Sequence, residues 1–302
     1  MKDTLNWNDL RYFLEVARKG RLLSAAKTLG VNHTTVSRRL SALEDSLEIK
    51  LFEQDENGFH LTRMGEGILP LAQQIEDVTE LTKERVHFSG QTLSGNLRIG
   101  APDGFGNSFL AEKITKFTNE NPDISIKLLP VPLTHNLLKR DVDLAITLEP
   151  SDRKDILGKK ITDYRLYLYT SRDYVEKHKL NINDLEEIKK HPFAGYIPDI
   201  LYTEQLDFNH FISDDLNETF QGSTVMSQYQ FIASGGGLGV LPYFMVGEDP
   251  RLVRVLPEQI FFTRTYWLLI PIDLHRLASV RALEKVIISL VKENLGLFLP
   301  ET

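Results

Sequence analysis

Between Leu22 and Leu47 the stretch LLSAAKTLGVNHTTVSRRLSALEDSL admits few arrangements other than two short helices joined by a tight turn. Leu22, Leu23, Ala26 and Leu29 give the first helix one apolar side. Gly30 stands where a chain leaves a helix through left-handed backbone at least cost. Asn32 is positioned to cap the second helix, whose Val36, Leu40, Leu43 and Leu47 recur at intervals of three and four. With those four turned inward, Thr34, Thr35, Ser37, Arg38 and Arg39 fall on or beside the outer face. Hydroxyls and guanidinium groups at the start of an exposed helix are what reading base edges and phosphates in a major groove requires. The spacing therefore predicts a DNA-binding helix-turn-helix.

Many amphipathic helix pairs never meet DNA, and the flanks separate this one from them. Upstream, Trp7, Leu10, Phe13, Leu14 and Ala17 predict another amphipathic helix, capped near Asn8 or Asp9 and followed by Gly20. Downstream, LFEQDENGFHLT (Leu51–Thr62) reads as a strand, a polar turn at Asn57-Gly58 and a second strand. Three helices followed by a hairpin make a winged helix-turn-helix.

At 302 residues the chain suits two or three domains. It contains no apolar run of bilayer-spanning length, and MKDTLNWNDL lacks the form of a signal peptide, so a cytoplasmic protein with no membrane partner is expected. The absence of cysteine excludes disulfides, thiolate nucleophiles and cysteine zinc sites. Net charge is −7, which is unusual for a DNA binder. Residues 1–63, however, hold 10 Lys and Arg against 9 Asp and Glu, or +1, and leave −8 to the remainder. A nearly neutral reading head on an acidic body points to a dimer that sets two recognition helices one DNA turn apart.

From Arg63 to about Phe88 the sequence predicts a helix. Its Met64, Ile68, Leu71, Ile75 and Val78 form a seam able to pair with a second copy, the alternative being a helix lying on its own domain; Pro70 is expected to kink it. Beyond Ser89-Gly90 and Ser94-Gly95 strands alternate with helices. Strands are predicted at Leu97–Ala101, Ile124–Val131 and Asp143–Thr147, with helices at Phe109–Asn119 and Asn136–Arg140. A second set comprises YRLYLYTS, a helix at Arg172–His178, FAGYI, and a helix around Ser227–Ser234. Leu238–Pro242, Leu252–Leu256, Thr265–Ile272 and a helix over Ala278–Glu293 complete it. The alternation argues a doubly wound α/β sheet in two lobes, the chain crossing between them near Ile161–Tyr164 and Arg264–Trp267. Ligands in such sheets sit beyond the carboxyl ends of the strands, beside helix N-termini.

The combination resembles the LysR-type transcriptional regulators over the whole chain. The specific segment is AAKTLGVNHTTVSRRLSALEDSLEIKLFEQDENGFHLTRMGEGIL (Ala25–Leu69), in which an ALE…LF…LT..G framework follows the recognition helix. SGNLRIGAP, DVDLAI and SGGGLGVLPYFM fall in the family's order. The resemblance implies an α/β chain: a winged helix-turn-helix over 1–63, a linker and dimerisation helix over 64–90, and a two-lobed, periplasmic-binding-protein-like effector domain over 91–302. Lobe I is expected at about 91–162 and 266–302, and lobe II at about 163–265. It implies a regulator of transcription that is not an enzyme, has no cofactor, and responds to a small-molecule co-inducer of unknown identity. Its implied partners are double-stranded DNA, a second copy (a homodimer, or a homotetramer as dimer of dimers) and RNA polymerase. The recognition positions carried over are Asn32, His33, Thr34, Thr35, Ser37, Arg38 and Arg39, with Ser24 in the preceding helix. Arg39 either contacts DNA or pairs with a carboxylate such as Glu44. The wing departs from the family, with Gln54, followed by Asp55 and Glu56, where an arginine is usual. Glutamine can hydrogen-bond in a minor groove but brings it no charge. His60 and Arg63 are candidates to compensate at the backbone.

Candidate effector residues begin in PDGFGNS, with Asp103, Gly104, Phe105, Asn107 and Ser108. There glycines let backbone N–H groups approach an anion, and polar side chains cap a helix or donate to a ligand. Thr147 ends a strand of the same lobe. Ser223 and Thr224 precede a helix of the other, and Pro198 or Tyr202 lines the mouth. Each hydroxyl has a capping role as its alternative. Gly235-Gly236-Gly237 lacks the Lys-Ser/Thr of a phosphate loop and reads as a turn into a buried strand. No HExxH, GxSxG or paired-carboxylate motif occurs, and no metal site is expected. The competing function, a two-lobed solute-binding protein or enzyme with an accessory DNA-binding module, lacks any such motif to support it.

Overall fold

Asn6, not Asn8 or Asp9, opens the first helix, α1 (Trp7–Lys19), by accepting a hydrogen bond from the Asn8 N–H. The computed structural model describes residues 5–56, 58–87, 93–129, 141–201, 203–247 and 249–300, which form two compact units, the first ending at Gln91. In the first unit α1 turns Phe13, Leu14 and Val16 inward, while Trp7, expected on that face, is exposed. α2 (Leu22–Leu29) ends at Gly30 in left-handed backbone, and α3 (His33–Leu47) follows from Asn32. Leu23 also departs from expectation and lies exposed. Ala25 and Ala26 take the inward positions, where small side chains let α2 approach α1 and α3 closely.

The wing is an antiparallel hairpin of β1 (Phe52–Asp55) and β2 (Gly58–Leu61), in register from Phe52↔Leu61 to Asp55↔Gly58. Its turn residue Asn57 lies outside the described residues. Gly58, at φ +133°, is required here twice over: by its backbone, and because a Cβ would stand 2.3 Å from the Gly20 carbonyl oxygen. The hairpin is thereby tied to the end of α1, with the Phe59 N–H donating to the Gly20 carbonyl.

α4 (Arg63–His87) is helical throughout and carries Pro70 inside it. Its apolar seam divides. Ile68, Ala72 and Ile75 pack on the core of this unit, and Arg18 of α1 pairs with Glu76 at 2.5 Å. Met64, Leu71 and Val78, seven residues apart, are exposed. One face of the helix thus lies on its own domain, and the other leaves an apolar stripe exposed.

The second unit is built on a nine-stranded mixed sheet in the order β4-β3-β5-β11-β6-β9-β7-β8, with β10 also on β6. Lobe I contributes β3 (Gly95–Gly100), β4 (Ile124–Leu129) and β5 (Leu144–Thr147), all parallel. Lobe II contributes β7 (Pro192–Tyr196), β8 (Asn217–Gly222), β9 (Leu238–Pro242) and β10 (Leu252–Val255). Both crossings lie inside two long antiparallel strands, β6 (Ile156–Ser171) and β11 (Phe261–Pro271), paired from Phe261↔Tyr167 to Pro271↔Ile156. Their register shifts between Tyr266 and Trp267, where the ladder passes from one lobe to the other. β8 was not anticipated: NETFQG carries only Phe220 as a large apolar residue and does not read as a strand. The helix expected at Asn136–Arg140 and the end of the strand before it lie outside the described residues. α5 (Arg172–His178), α6 (Val225–Ala233) and α7 (Ala278–Glu293) flank the sheet.

Candidate nucleic-acid interface and sensor cleft

The outer face of α3 is set by its inner one. Val36, Leu40 and Leu43 are buried, which turns His33, Thr34, Ser37 and Arg38 to solvent, with Thr35 half-buried beside them. Asn32 is exposed, but its Oδ1 already accepts the Thr34 N–H at 3.2 Å, so its first role is the cap. Ser24 of α2 is exposed as well. The two arginines part company. Arg38 has no carboxylate partner among the described residues. Arg39 turns to Asp9 of α1, Nη1 to Oδ1 3.3 Å, and that carboxylate is buried. Arg39 is thus an ion-paired brace between α1 and α3, and its partner is Asp9 rather than Glu44.

Glu44 has a different task, which sequence reasoning missed. It is buried, and its Oε1 accepts the N–H groups of Leu51 (2.9 Å) and Phe52 (3.3 Å), while Oε2 accepts from Lys50 (2.6 Å). One carboxylate so fixes the chain between α3 and the wing, holding recognition helix and hairpin as one piece. The only signal for it was an acidic residue next to Leu43 and one turn beyond Leu40, on the inward side. In the wing, Gln54 is exposed opposite Phe59. Glu53, Asp55, Glu56 and His60 are exposed too, and His60 Nε2 stands 3.0 Å from Asp55 Oδ1. His60 is therefore engaged with an acidic neighbour at the position where it was expected to serve the DNA backbone.

The sensor cleft differs more from expectation. PDGFGNS is not a strand-end loop. Helix begins at Asp103, six residues before the predicted start, and Gly106–Leu110 form a π-type turn within the helical run to Glu120. Gly104 leaves no cradle for a ligand; a Cβ there would meet Met245 Sδ at 2.7 Å and Val225 Cγ1 at 2.8 Å, so the missing side chain makes room for lobe II. Phe105 is fully buried against Phe109 (5.2 Å between centroids) and Tyr266 (4.9 Å), a core position rather than a contact surface. Asn107 is exposed and Ser108 half-buried, both inside the π-type turn and away from the helix N-terminus.

Asp103 itself crosses between the lobes. Its Oδ2 accepts the Met226 N–H at 3.2 Å, in the first turn of α6. A carboxylate from PDGFGNS, where an anionic ligand was expected, is thus itself the anion at the N-terminus of α6. Burial pushes its pKa above the usual carboxylate value, against hydrogen bonds from Met226 and Val225. The space around it is lined by Leu148, Tyr164, Val225 and Tyr266 and holds about 20 Å³, room for about one water. The other candidates are used locally. Thr147 is buried and donates to the Glu149 carbonyl at 2.6 Å. Thr224 caps α6 by accepting the Ser227 N–H, and Ser223 is exposed. Pro198 lines a separate cavity of about 100 Å³ within lobe II, beside the buried Gln228, whose Nε2 has no partner among the described residues. Tyr202 lies outside the described residues.

Comparison with known proteins accords with this geometry. The family model described as "Bacterial regulatory helix-turn-helix protein, lysR family" matches residues 7–66, and "LysR substrate binding domain" matches residues 90–291. The transcriptional regulator DgdR of Burkholderia cepacia is 32% identical over 255 residues, covering 82% of this chain and 82% of that protein. The transcriptional activator TtdR of Escherichia coli K12 is 25% identical over 304 residues, covering 95% and 94%. Among solved structures, a full-length OxyR variant from Pseudomonas aeruginosa superposes with a TM-score of 0.69 at 22% identity, covering 96% of this chain and 98% of that one. Full-length LysG from Corynebacterium glutamicum with bound effector Arg gives 0.62 at 17%, covering 95% and 98%. At these identities the two structures speak to the fold alone.

Proposed function

The chain belongs to the LysR family of transcriptional regulators, DNA-binding proteins with an effector-binding domain and not enzymes, and from that premise we propose how it reads DNA and where it senses. Arg38, with Ser37, Thr34 and His33, meets base edges and phosphates in the major groove. Arg39 acts behind them by holding α3 to α1. The observation that carries this reading is the contrast between the two arginines: one exposed and without a counter-ion among the described residues, the other spent on Asp9. The wing contributes Gln54 without a positive charge of its own, and Glu53, Asp55 and Glu56 keep it from gripping phosphate.

The exposed Met64–Leu71–Val78 stripe supports pairing of α4 with a second copy, as a homodimer or as the unit of a tetramer. Two reading heads on one duplex offset the acidic body. A small-molecule effector acts in the second unit between the lobes; entry beside Asp103 itself would break the hydrogen bond from Met226. RNA polymerase is the partner through which such a complex acts, and the cytoplasm is its place. No helix among the described residues is long and apolar enough to cross a membrane.

The test is fluorescence anisotropy on the DNA upstream of this protein's own gene, across a salt series. For Arg38→Ala the slope of log K against log salt is expected to fall by about 0.9 per lost phosphate contact. Arg39→Ala is expected to weaken binding with the slope unchanged. Equal binding to scrambled DNA, indifferent to Arg38→Ala, would overturn the assignment.

A further inference from the structure

Outside the closed space at Asp103, the second unit holds an open cavity of about 540 Å³ at the edge of the crossing strands. This lies within the range of small-ligand sites. Its apolar walls are Leu148, Pro150, Phe211 and Trp267, and its one cation among the described residues is Arg264. Leu148 is the only lining residue it shares with the Asp103 space.

Arg264 is held in an unusual way. Its guanidinium lies among three rings, 5.2 Å from the Phe208 centroid and 5.8 Å from those of Phe211 and Phe262. Nε donates to the Gln205 carbonyl at 3.0 Å and Nη1 to the Thr263 carbonyl at 3.1 Å. Both Nη2 protons are left without a partner among the described residues, and no carboxylate there comes within ion-pair distance. Glu204 also lines the cavity and is exposed, its carboxylate outside ion-pair distance of Arg264. Burial drives the pKa of Arg264 down, with only Tyr164 acting in the other direction. A half-buried guanidinium held by two carbonyls, with three rings around it and no counter-ion among the described residues, is a prepared half of an ion pair. With Nε and Nη1 held by carbonyls, the Nη2 group is left to a partner, and a carboxylate is suited to meet it in the guanidinium plane.

We propose that this cavity binds a monocarboxylate with an aromatic or branched apolar body, its carboxylate on Arg264 and its body against Phe211 and Trp267. The proposal rests on the reading that the second unit senses a small molecule, and it assigns that molecule's charge and anchor. A single guanidinium selects one negative charge, and the rings and Trp267 select an apolar remainder. Arg264 lies on β11 two residues before the register shift at Tyr266/Trp267, so occupancy bears on the strand that passes between the lobes.

The probes are benzoate, its uncharged counterpart benzamide, and benzylamine, titrated into the full chain carrying Trp7→Phe. Trp267 is then the sole tryptophan and reports from the cavity wall. Benzoate is expected to bind saturably, benzamide at least about tenfold more weakly, and benzylamine not at all. Arg264→Gln should abolish the preference for benzoate over benzamide, Arg264→Lys should retain part of it, and Asp103→Asn should leave it intact. Equal binding of benzoate and benzamide to the protein without an Arg264 change would overturn the proposal, whatever the stability of the variants. So would benzoate binding that depends on Asp103 and not Arg264, although that outcome keeps a sensor between the lobes. Absence of saturable benzoate binding up to about 10 mM would also overturn it, while DNA binding, measured separately, would still stand or fall on Arg38.

Discussion

Replacing Glu44 by alanine should detach the wing from the recognition helix without touching a DNA-facing atom. In the native chain its Oε1 is the acceptor for the Leu51 and Phe52 N–H groups, and both residues are buried. Alanine leaves two buried donors without this acceptor, at about 1–3 kcal/mol each. The Lys50 contact adds little, because the lysine side chain is 73% exposed. Alanine's better helix propensity returns a few tenths of a kcal/mol. The expected net loss is therefore about 2–5 kcal/mol. Glu44→Gln keeps one acceptor oxygen but not the charge assistance and should cost about 1 kcal/mol.

A global melt would blur this effect, since a chain of two units need not unfold in one step. Native-state hydrogen exchange at the Leu51 and Phe52 amides reads the contact directly. A loss of 2 kcal/mol or more corresponds to a fall in protection of about thirtyfold or greater at those two amides. DNA affinity should drop as well, because helix and hairpin no longer approach the duplex as one body, but the salt slope should hold. Protection unchanged within about threefold, or a slope altered as for Arg38→Ala, would refute the reasoning.

Asp9 and Arg39 give a second test. Arg39→Ala leaves a buried carboxylate unpaired and should lower stability by about 1–2 kcal/mol, less than for a fully buried pair because the arginine side chain is 35% exposed. Adding Asp9→Asn should recover part of that loss in thermal denaturation, whereas independent, additive losses would contradict the pairing. Leu71→Lys puts a charge into the exposed stripe of α4 and should shift the protein toward monomer in sedimentation, with loss of DNA affinity but a fold unchanged by circular dichroism. Asp103 carries a pH dependence. Its pKa is raised by burial, so its contribution to stability is present at low pH and is lost as pH rises through the shifted value. Asp103→Asn, which has no charge to bury, should flatten that loss in melting temperatures followed from acid to neutral pH. An unchanged profile would place the titration elsewhere.

The reading head was legible because its determinants are local. The spacing of Val36, Leu40 and Leu43 fixes which side chains of α3 face outward, and Gly30 and Asn32 mark its boundary within two residues. What the sequence concealed there is long-range: Arg39 reaches back thirty residues to Asp9, and Glu44 reaches forward to two backbone amides. An arginine committed to an ion pair looks, in sequence, like the free arginine beside it. Trp7 and Leu23 were misassigned for the related reason that apolar residues on small domains are not all needed inside. In α4 the period was visible, but not that one column of it packs on its own core while the other stays outside.

The sensor half was legible as alternating strands and helices but not as a site, because its residues come from segments over a hundred positions apart. Two glycines after a strand suggested a cradle for an anion. In the fold, Gly104 is small so that Val225 and Met245 of the other lobe can approach, and the anion at α6 is Asp103. Both facts concern contact between the lobes, which no local pattern encodes. They also limit how a ligand can act here. Any molecule entering beside Asp103 must part Gly104 from Val225 and Met245 and take the Met226 N–H from the carboxylate, so binding there opens the cleft. A molecule held at Arg264 lies in space that is already open and can act without breaking either contact. The two positions therefore predict different fates for the Asp103–Met226 hydrogen bond, broken in the first case and kept in the second.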